Sequence, residues 1–350
     1  QLPPEDMQAL NESGYLAFSV PKIYGGRGLA LAEYVAAQLE LAQGSASSAL
    51  VAAMSLHIFG NARENRPWPE DKFEYLCRLA VAGKLINSVA SEPVLGSPSR
   101  GGQFATTAAP HADGWVINGQ KTWITGGAQL DYLLVRLSVE SDPAVIWVAN
   151  HAPGVAWVET WKDALSLRAS GSHDVYFKDV VVPAENLLEC GNDPKRPPEA
   201  WFPMMIAAVY LGTAIAARNA IIKYALERVP TALGQPIATL PGIQRQIGEL
   251  DVQLQAARCF LLKAAEGWGG EAEQRRCQYP GVIAAKVLAT ETAAAVTEKA
   301  LRIAGGMSLT HALPLERFFR DTRAGMMHPP AGDAALELIG KAAIEQIKGD

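Results

Sequence analysis

The chain changes texture twice, near Leu85 and again after Pro183, and this restricts its fold more than any other feature. Between the two points, β-branched and aromatic residues alternate with polar ones in "YLLVRLSV", "AVIWVAN", "GVAWVETW" and "DVYFKDVVVP". That period of two is the signature of strands, and several short strands at this spacing imply a small barrel or sandwich. On either side the pattern is helical. "EDMQALNESGY" stops at Gly14, and "VPKIYGGRGLALAEYVAAQLELAQ" is a glycine-containing loop opening into a helix. Ser45 to Phe59 and "PEDKFEYLCRLAVAGK" predict two more. After Pro183 the spacing predicts helices over Trp201–Arg228, Ile243–Trp268, Val282–Ala304, Leu315–Met327 and Ala334–Ile344, separated by Pro230, Pro241, Gly305-Gly306 and Pro329-Pro330. Long helices with short connections form an antiparallel bundle. The reading is mainly α with a β domain: residues 1–85 helical, 86–192 β, 193–350 a helical bundle.

Within the β block, Trp115–Ile117 leads into Asn118-Gly119, a pair suited to a two-residue type I′ hairpin turn. A second strand is then expected from Gln120 to Thr125, ending at Gly126-Gly127. This strand sets an indole, Trp123, and a hydroxyl, Thr125, just before two glycines.

Composition excludes several classes. A length of 350 residues, 49% apolar, calls for two or three cores. A formal charge of −5 and the lack of a Lys/Arg run argue against nucleic acid as a partner. Cys77, Cys190, Cys259 and Cys277 are scattered without CxxC spacing, so neither a metal site nor a disulfide framework is expected. No run reaches the roughly 18 uninterrupted apolar residues of a membrane span. The opening "QLPPED" lacks the basic and apolar regions of a signal peptide, and a cytoplasmic protein is the expectation.

Five strings in order give a more specific reading. "SVPKIYGGRGLALAEY", "SVASEPVLGSPS", "NGQKTWITGG", "LRASGSHDVYFKDVVVPAENLL" and "LRIAGGMSLTHALPLERFFRDTRA" together resemble the acyl-CoA dehydrogenase superfamily of flavoproteins, nearly end to end. The resemblance implies an N-terminal α-helical domain, a middle β-barrel and a C-terminal antiparallel helical bundle. It also implies FAD, acyl-CoA or a related small molecule as substrate, and a homodimer or homotetramer. Flavin contacts implied by the match are Val89, Ala90, Ser91, Ser97, Trp123, Ile124 and Thr125. The chemistry agrees, because an isoalloxazine is an aromatic plate with a polar rim. Arg228 matches the arginine that reaches a partner subunit's FAD pyrophosphate, although two extra residues precede Gly234 and the family's Phe-Gly pair is missing. Gly305 and Gly306 match the double glycine near the adenine side.

The chain departs from this pattern at the catalytic base. Most members carry glutamate nine residues after the arginine of the Arg-Asp pair; here the pair is Arg320-Asp321, and Pro329 stands at that place. The alternative position, ten residues before Gly212, is Phe202, with Glu199 the nearest carboxylate and expected to be solvated. Asp333 and Glu337 follow the loop. His328 stands beside the missing base, where a branch of flavin-dependent monooxygenases carries histidine, and His57 falls where such enzymes place another. Imidazole, with a pKa near neutrality, suits proton transfer or hydrogen bonding there. The reading is therefore an acyl-CoA dehydrogenase-type oxidoreductase lacking the usual glutamate. One alternative is a monooxygenase using His328, with FMN in place of FAD; another is a non-catalytic flavin-bound assembly subunit.

Overall fold

A computed structural model describes residues 1–95 and 102–349. Four helices come first: α1 (Pro4–Glu12), α2 (Leu31–Gly44), α3 (Ala46–Asn65) and α4 (Glu70–Val81). Among the described residues eight strands follow: β1 (Ile86–Val89), β2 (Thr107–His111), β3 (Gly114–Ile124), β4 (Tyr132–Val139), β5 (Asp142–Ala149), β6 (Val155–Val158), β7 (His173–Pro183) and β8 (Leu187–Cys190). Five helices complete the chain: α5 (Trp201–Glu227), α6 (Pro241–Glu266), α7 (Ala272–Ala304), α8 (Leu315–Thr322) and α9 (Gly332–Gly349).

The chain packs as two compact units. The first holds Gln1–Ala30, Leu50–Ala164 and Arg168–Phe202; the second holds Leu31–Ala49, Leu165–Leu167 and Pro203–Asp350. The units thus cut across the three stretches of sequence, because α2 clusters with the C-terminal helices. Gly212 on α5 is one reason: a Cβ there would meet the Leu39 carbonyl of α2 at 2.4 Å.

In the first unit the strands form one mixed sheet in the order β6-β7-β3-β2-β4-β5-β8, with β1 parallel to β4. Helices α3 and α4 bury Ile58, Phe59, Phe73 and Leu76 with Ile86, Leu134 and Val145 of the sheet. Alternation along each strand separates this apolar face from the other.

Three expectations are corrected. Asn118-Gly119 is no hairpin turn, for β3 runs straight through it, and the reversal lies between His111 and Gly114. Strand β3 is paired on both edges, with β2 and β7, which leaves no room to fold back. The pair instead forms an irregularity: Gly119 (φ 145°) lies on Thr106, and Asn118 exchanges two side-chain hydrogen bonds with Asp179, at 2.9 and 3.1 Å. The helix expected from Val282 starts at Ala272 and passes through Pro280. A proline inside a helix costs about 3 kcal/mol, and the buried Val282, Ile283, Ala285 and Ala289 offset it. The helix expected over Leu315–Met327 ends at Thr322 and tightens into a 3-10 turn, Arg323–Met327.

In the second unit, α6 and α7 lie side by side, and α8 and α9 pack on α7. Helix α5 is long and apolar enough to cross a membrane by length and composition, yet 67% of its most apolar window is buried inside the fold. It is a core helix.

Candidate active site

In the first unit the end of β3 carries the geometry a planar ligand needs. Trp123 is 59% exposed although it lies between the buried Thr122 and Ile124. Its φ of 58° is rare for a bulky residue and costs about 1–3 kcal/mol. Neighbours over-determine that conformation. The Thr122 amide donates to the Ser91 carbonyl at 2.9 Å, and its hydroxyl donates to Asp174 at 2.6 Å. The Lys121 ammonium, fully buried, bonds Glu92 at 2.7 Å and the Ala90 carbonyl at 3.3 Å. Glu92 in turn accepts the Ala105 and Thr106 amides at 2.7 and 3.0 Å. Burial pulls Lys121 down to about 8, against the pull of Glu92, whose own carboxyl is held below its usual range. Burial opposes ionisation of Glu92; its bonds to Lys121 and the two amides outweigh that.

Beside the indole, the Thr125 hydroxyl joins Ser172 at 3.0 Å and Ser172 joins Ser170 at 2.8 Å. Asn87 donates to the Thr125 carbonyl at 2.8 Å, while its buried amide oxygen has no hydrogen-bond partner among the described residues. An orphan acceptor of this kind is what a ligand donor would satisfy. Gly126 and Gly127 have φ of 95° and 49°, and a Cβ on Gly127 would meet the Gly171 carbonyl at 2.5 Å. The structure thus brings Ala90, Ser91, Trp123, Ile124 and Thr125 together, with Val89 and Ile124 as buried backing. Ser97 lies outside the described residues.

His57 is on α3 in the same unit. Its Nδ1 donates to the Ala53 carbonyl at 3.3 Å, which leaves Nε2 as the lone-pair nitrogen. The ring meets Phe202 edge-on at 5.4 Å. Burial is the main cause that drives its pKa down to about 4, and the Arg136 cation adds to this, so His57 is neutral at pH 7. One turn on, Asn61 donates to Glu199 at 3.0 Å. Glu199 is half-buried and held, which corrects the expectation of a solvated acid. A cleft of about 410 Å³ in this unit is lined by Arg66, Glu189, Cys190 and Arg196 and includes none of the expected site residues.

In the second unit, His328 follows the 3-10 turn after α8. Its Nε2 is 2.8 Å from the Tyr210 hydroxyl of α5. The Lys286 ammonium of α7 donates to the carbonyls of His328 and Pro330 at 2.8 and 3.1 Å. His328 retains some exposure as a residue, but its ring is deeply packed. That packing first, and the Lys286 charge second, lower its pKa to about 4. Asp321 is buried and accepts the Leu167 amide at 2.7 Å. Asp333 and Glu337 are exposed on α9. Arg228 is exposed just beyond α5, and Gly305 (φ 61°) and Gly306 are exposed at the end of α7.

Sequence reading missed Asn87, the Lys121–Glu92 pair, Tyr210 and Lys286. The lysine and glutamate sit inside quoted strings, "GQKTW" and "ASEP", yet nothing in either string pairs them. Tyr210 is hidden in a continuous apolar run.

Comparison with known proteins agrees with this architecture. The acyl-CoA dehydrogenase N-terminal, middle and C-terminal domain families match residues 1–81, 88–180 and 204–331. The chain is 35% identical over 349 residues to YdbM of Bacillus subtilis (strain 168), described as an acyl-CoA dehydrogenase, covering 99% of this chain and 91% of that one. The structure of butyryl-CoA dehydrogenase from Megasphaera elsdenii superposes with a TM-score of 0.84 at 25% identity, over 98% of this chain and 90% of that one. KijD3 in complex with FMN and a dTDP-linked amino-keto sugar has a TM-score of 0.83 at 25% identity, over 99% and 87%. The protein belongs to the acyl-CoA dehydrogenase family.

Proposed function

We propose that the chain is an FAD-dependent oxidoreductase of acyl-CoA dehydrogenase type, acting on an acyl thioester or a related small molecule without the family's usual glutamate. One observation carries the cofactor: Trp123 is an exposed indole held in a strained backbone just after the buried Lys121–Glu92 pair and the Thr122–Asp174 hydrogen bond. Such strain persists where a ligand uses it. FAD, when bound, supplies the two-electron acceptor. Trp123 would stack on its ring system, while Thr125, the Asn87 amide and the backbone from Val89 to Ser91 would meet its polar rim; Ser97, outside the described residues, is assigned to the flavin by the resemblance alone. Arg228, Gly305 and Gly306 are assigned to the pyrophosphate and adenine of a neighbouring subunit in a homodimer or homotetramer. Arg suits such a bidentate phosphate contact.

His328 and His57 are assigned to the chemistry. Both are neutral at pH 7, one on each unit. A second reading, a flavin-dependent monooxygenase using FAD or FMN, is favoured by the state of the carboxylates. Asp321 is committed to the Leu167 amide, and Asp333 and Glu337 are exposed. Proline at position 329 supplies no base. The resemblance to KijD3 with FMN points the same way.

The test is purification with FAD supplied, followed by two assays. Stoichiometric FAD that acyl-CoA bleaches anaerobically supports the first reading. FAD that acyl-CoA leaves oxidised, but whose reduced form consumes oxygen with a substrate, supports the second. A protein that stays colourless in excess FAD overturns both.

A further inference from the structure

The sheet of the first unit carries a cation, Arg136, that forms no ion pair among the described residues. Side chains two apart on a strand share a face, so Arg136 stands on the same side of β4 as Leu134, which packs against α3 and α4. Its neighbour across on β5 is Val145, another member of that core. The guanidinium is half-buried there, and its Nε donates to the Ser88 hydroxyl of β1 at 3.2 Å. That is its one hydrogen bond among the described residues. The stretch 96–101, "GSPSRG", contains no acidic residue that could pair with it.

A charge withdrawn from water is costly unless it is paired. Lysine and histidine can escape that cost by losing a proton, but a guanidinium cannot. The two basic groups that feel Arg136, His57 and Lys121, are both lowered, mainly by burial, with the Arg136 charge adding to it. Lys121 also has Glu92 as its partner. Arg136 is the fixed charge that remains.

A cleft of about 130 Å³ reaches this group, lined by Arg136 with Phe104, Val145, Glu189, Asp193 and Arg196. Arg196 is already taken, for it pairs with Glu189 at 2.6 Å. The two remaining NH2 groups of Arg136 form a planar fork that fits two oxygens of one oxyanion. The lining selects among oxyanions. Glu189 and Asp193 repel a dianion such as phosphate about twice as strongly as a monoanion, while Phe104 and Val145 offer apolar surface to a carbon chain. Both walls lead to the flavin platform. Ser88 directly precedes Val89, and the Phe104 ring lies 4.3 Å from the ammonium of Lys121, two residues before Trp123.

We infer that Arg136 binds a free carboxylate of the substrate, which is therefore an acyl thioester, or a related small molecule, with a second, anionic end. This rests on the oxidoreductase reading above for the thioester, and the experiment tests the carboxylate site separately.

The FAD-loaded protein is titrated by calorimetry with pairs of acyl-CoA thioesters of equal chain length, one ending in methyl and one in carboxylate. Hydrogen bonds to a charged group are worth about 10- to 100-fold in affinity. Wild type should prefer the carboxylate by about that factor at one or more chain lengths, and Arg136→Gln should lose the preference. Measurable but equal affinity within every pair, or a preference that Arg136→Gln retains, overturns the proposal. If Arg136→Gln does not fold, Arg136→Lys takes its place. A charge without the fork should narrow the preference, and an unchanged preference overturns the proposal.

Free anions form the second arm. Succinate, at matched ionic strength, should raise the melting temperature of wild type but not of the Arg136 variant. Stabilisation through Arg136 by inorganic phosphate and not by succinate would make this a phosphate site and overturn the carboxylate. If no thioester binds while succinate still stabilises through Arg136, the acyl-thioester reading fails and the carboxylate site stands. With no thioester bound and no such stabilisation, both fall.

Discussion

The two buried histidines are alike in charge and opposite in orientation. On α3, His57 gives its Nδ1 hydrogen to a helix carbonyl and keeps Nε2 as the lone-pair nitrogen. In the loop after α8, His328 has Nε2 occupied by Tyr210, and the hydrogen falls to Nδ1. Burial makes both neutral at pH 7. What separates them is the partner: a backbone carbonyl can only accept, while a buried phenol must donate. One residue type thus points its ring hydrogen toward a helix carbonyl in one region and away from a phenol in the other. Their positions in the sequence say nothing about which is which.

Acid should break both together, with the largest effect. Each ring has a native pKa of about 4 against an unfolded value of 6.5. Between these values the unfolded chain binds more protons than the native one, so stability falls as pH drops from 6.5 to 4. Above 6.5 the two rings contribute no slope. The loss is on the order of 1–3 kcal/mol per histidine. Urea unfolding of the wild type at several pH values in this window checks it, and His57→Gln and His328→Gln should each flatten the slope.

Gly325→Ala should disturb only the His328 side. Its Cβ meets the Tyr210 ring at 2.8 Å, and overpacking of that kind costs about 1–3 kcal/mol. The melting temperature should fall, and in 15N-histidine NMR spectra the His328 signals should shift while those of His57 do not. Shifts at both would mean that the regions are coupled.

Trp123→Ala tests the platform and not the histidines. Loss of aromatic stacking should weaken FAD binding by about 1–3 kcal/mol, measured by titrating apoprotein, with both histidine spectra unchanged in the absence of flavin. The smallest effect is expected at Glu199→Gln. The Asn61 amide keeps an acceptor there, so the change in stability should stay below about 1 kcal/mol. A larger loss would show that the carboxylate charge matters to the α3 region.

How much of this was legible follows from the kind of signal each feature leaves. Element types were readable because burial repeats with period 2 or 3.6, and the order of helices and strands came from that alone. The Asn118-Gly119 hairpin misled because local turn chemistry yields when both edges of a strand are paired. Pro280 misled because the packing around α7 outweighs one lost backbone bond. At the site, Trp123 and Thr125 stood out beside two glycines, and His328 stood out beside a proline. Tyr210 and Lys286 did not, since the first sits in an apolar run and the second among the many charges of α7, and each gains meaning only from a partner 118 or 42 residues away.

The central claim is a flavin platform kept in form in the first unit, while the loop after α8 in the second carries no carboxylate base. Anaerobic bleaching of the FAD-loaded protein by straight-chain acyl-CoA thioesters tests it most directly. General-base catalysis typically contributes about 10²–10⁴-fold, so the account predicts bound FAD that bleaches slowly with every chain length. Rapid bleaching by the wild type, unchanged in His328→Gln, would contradict it and require a base elsewhere.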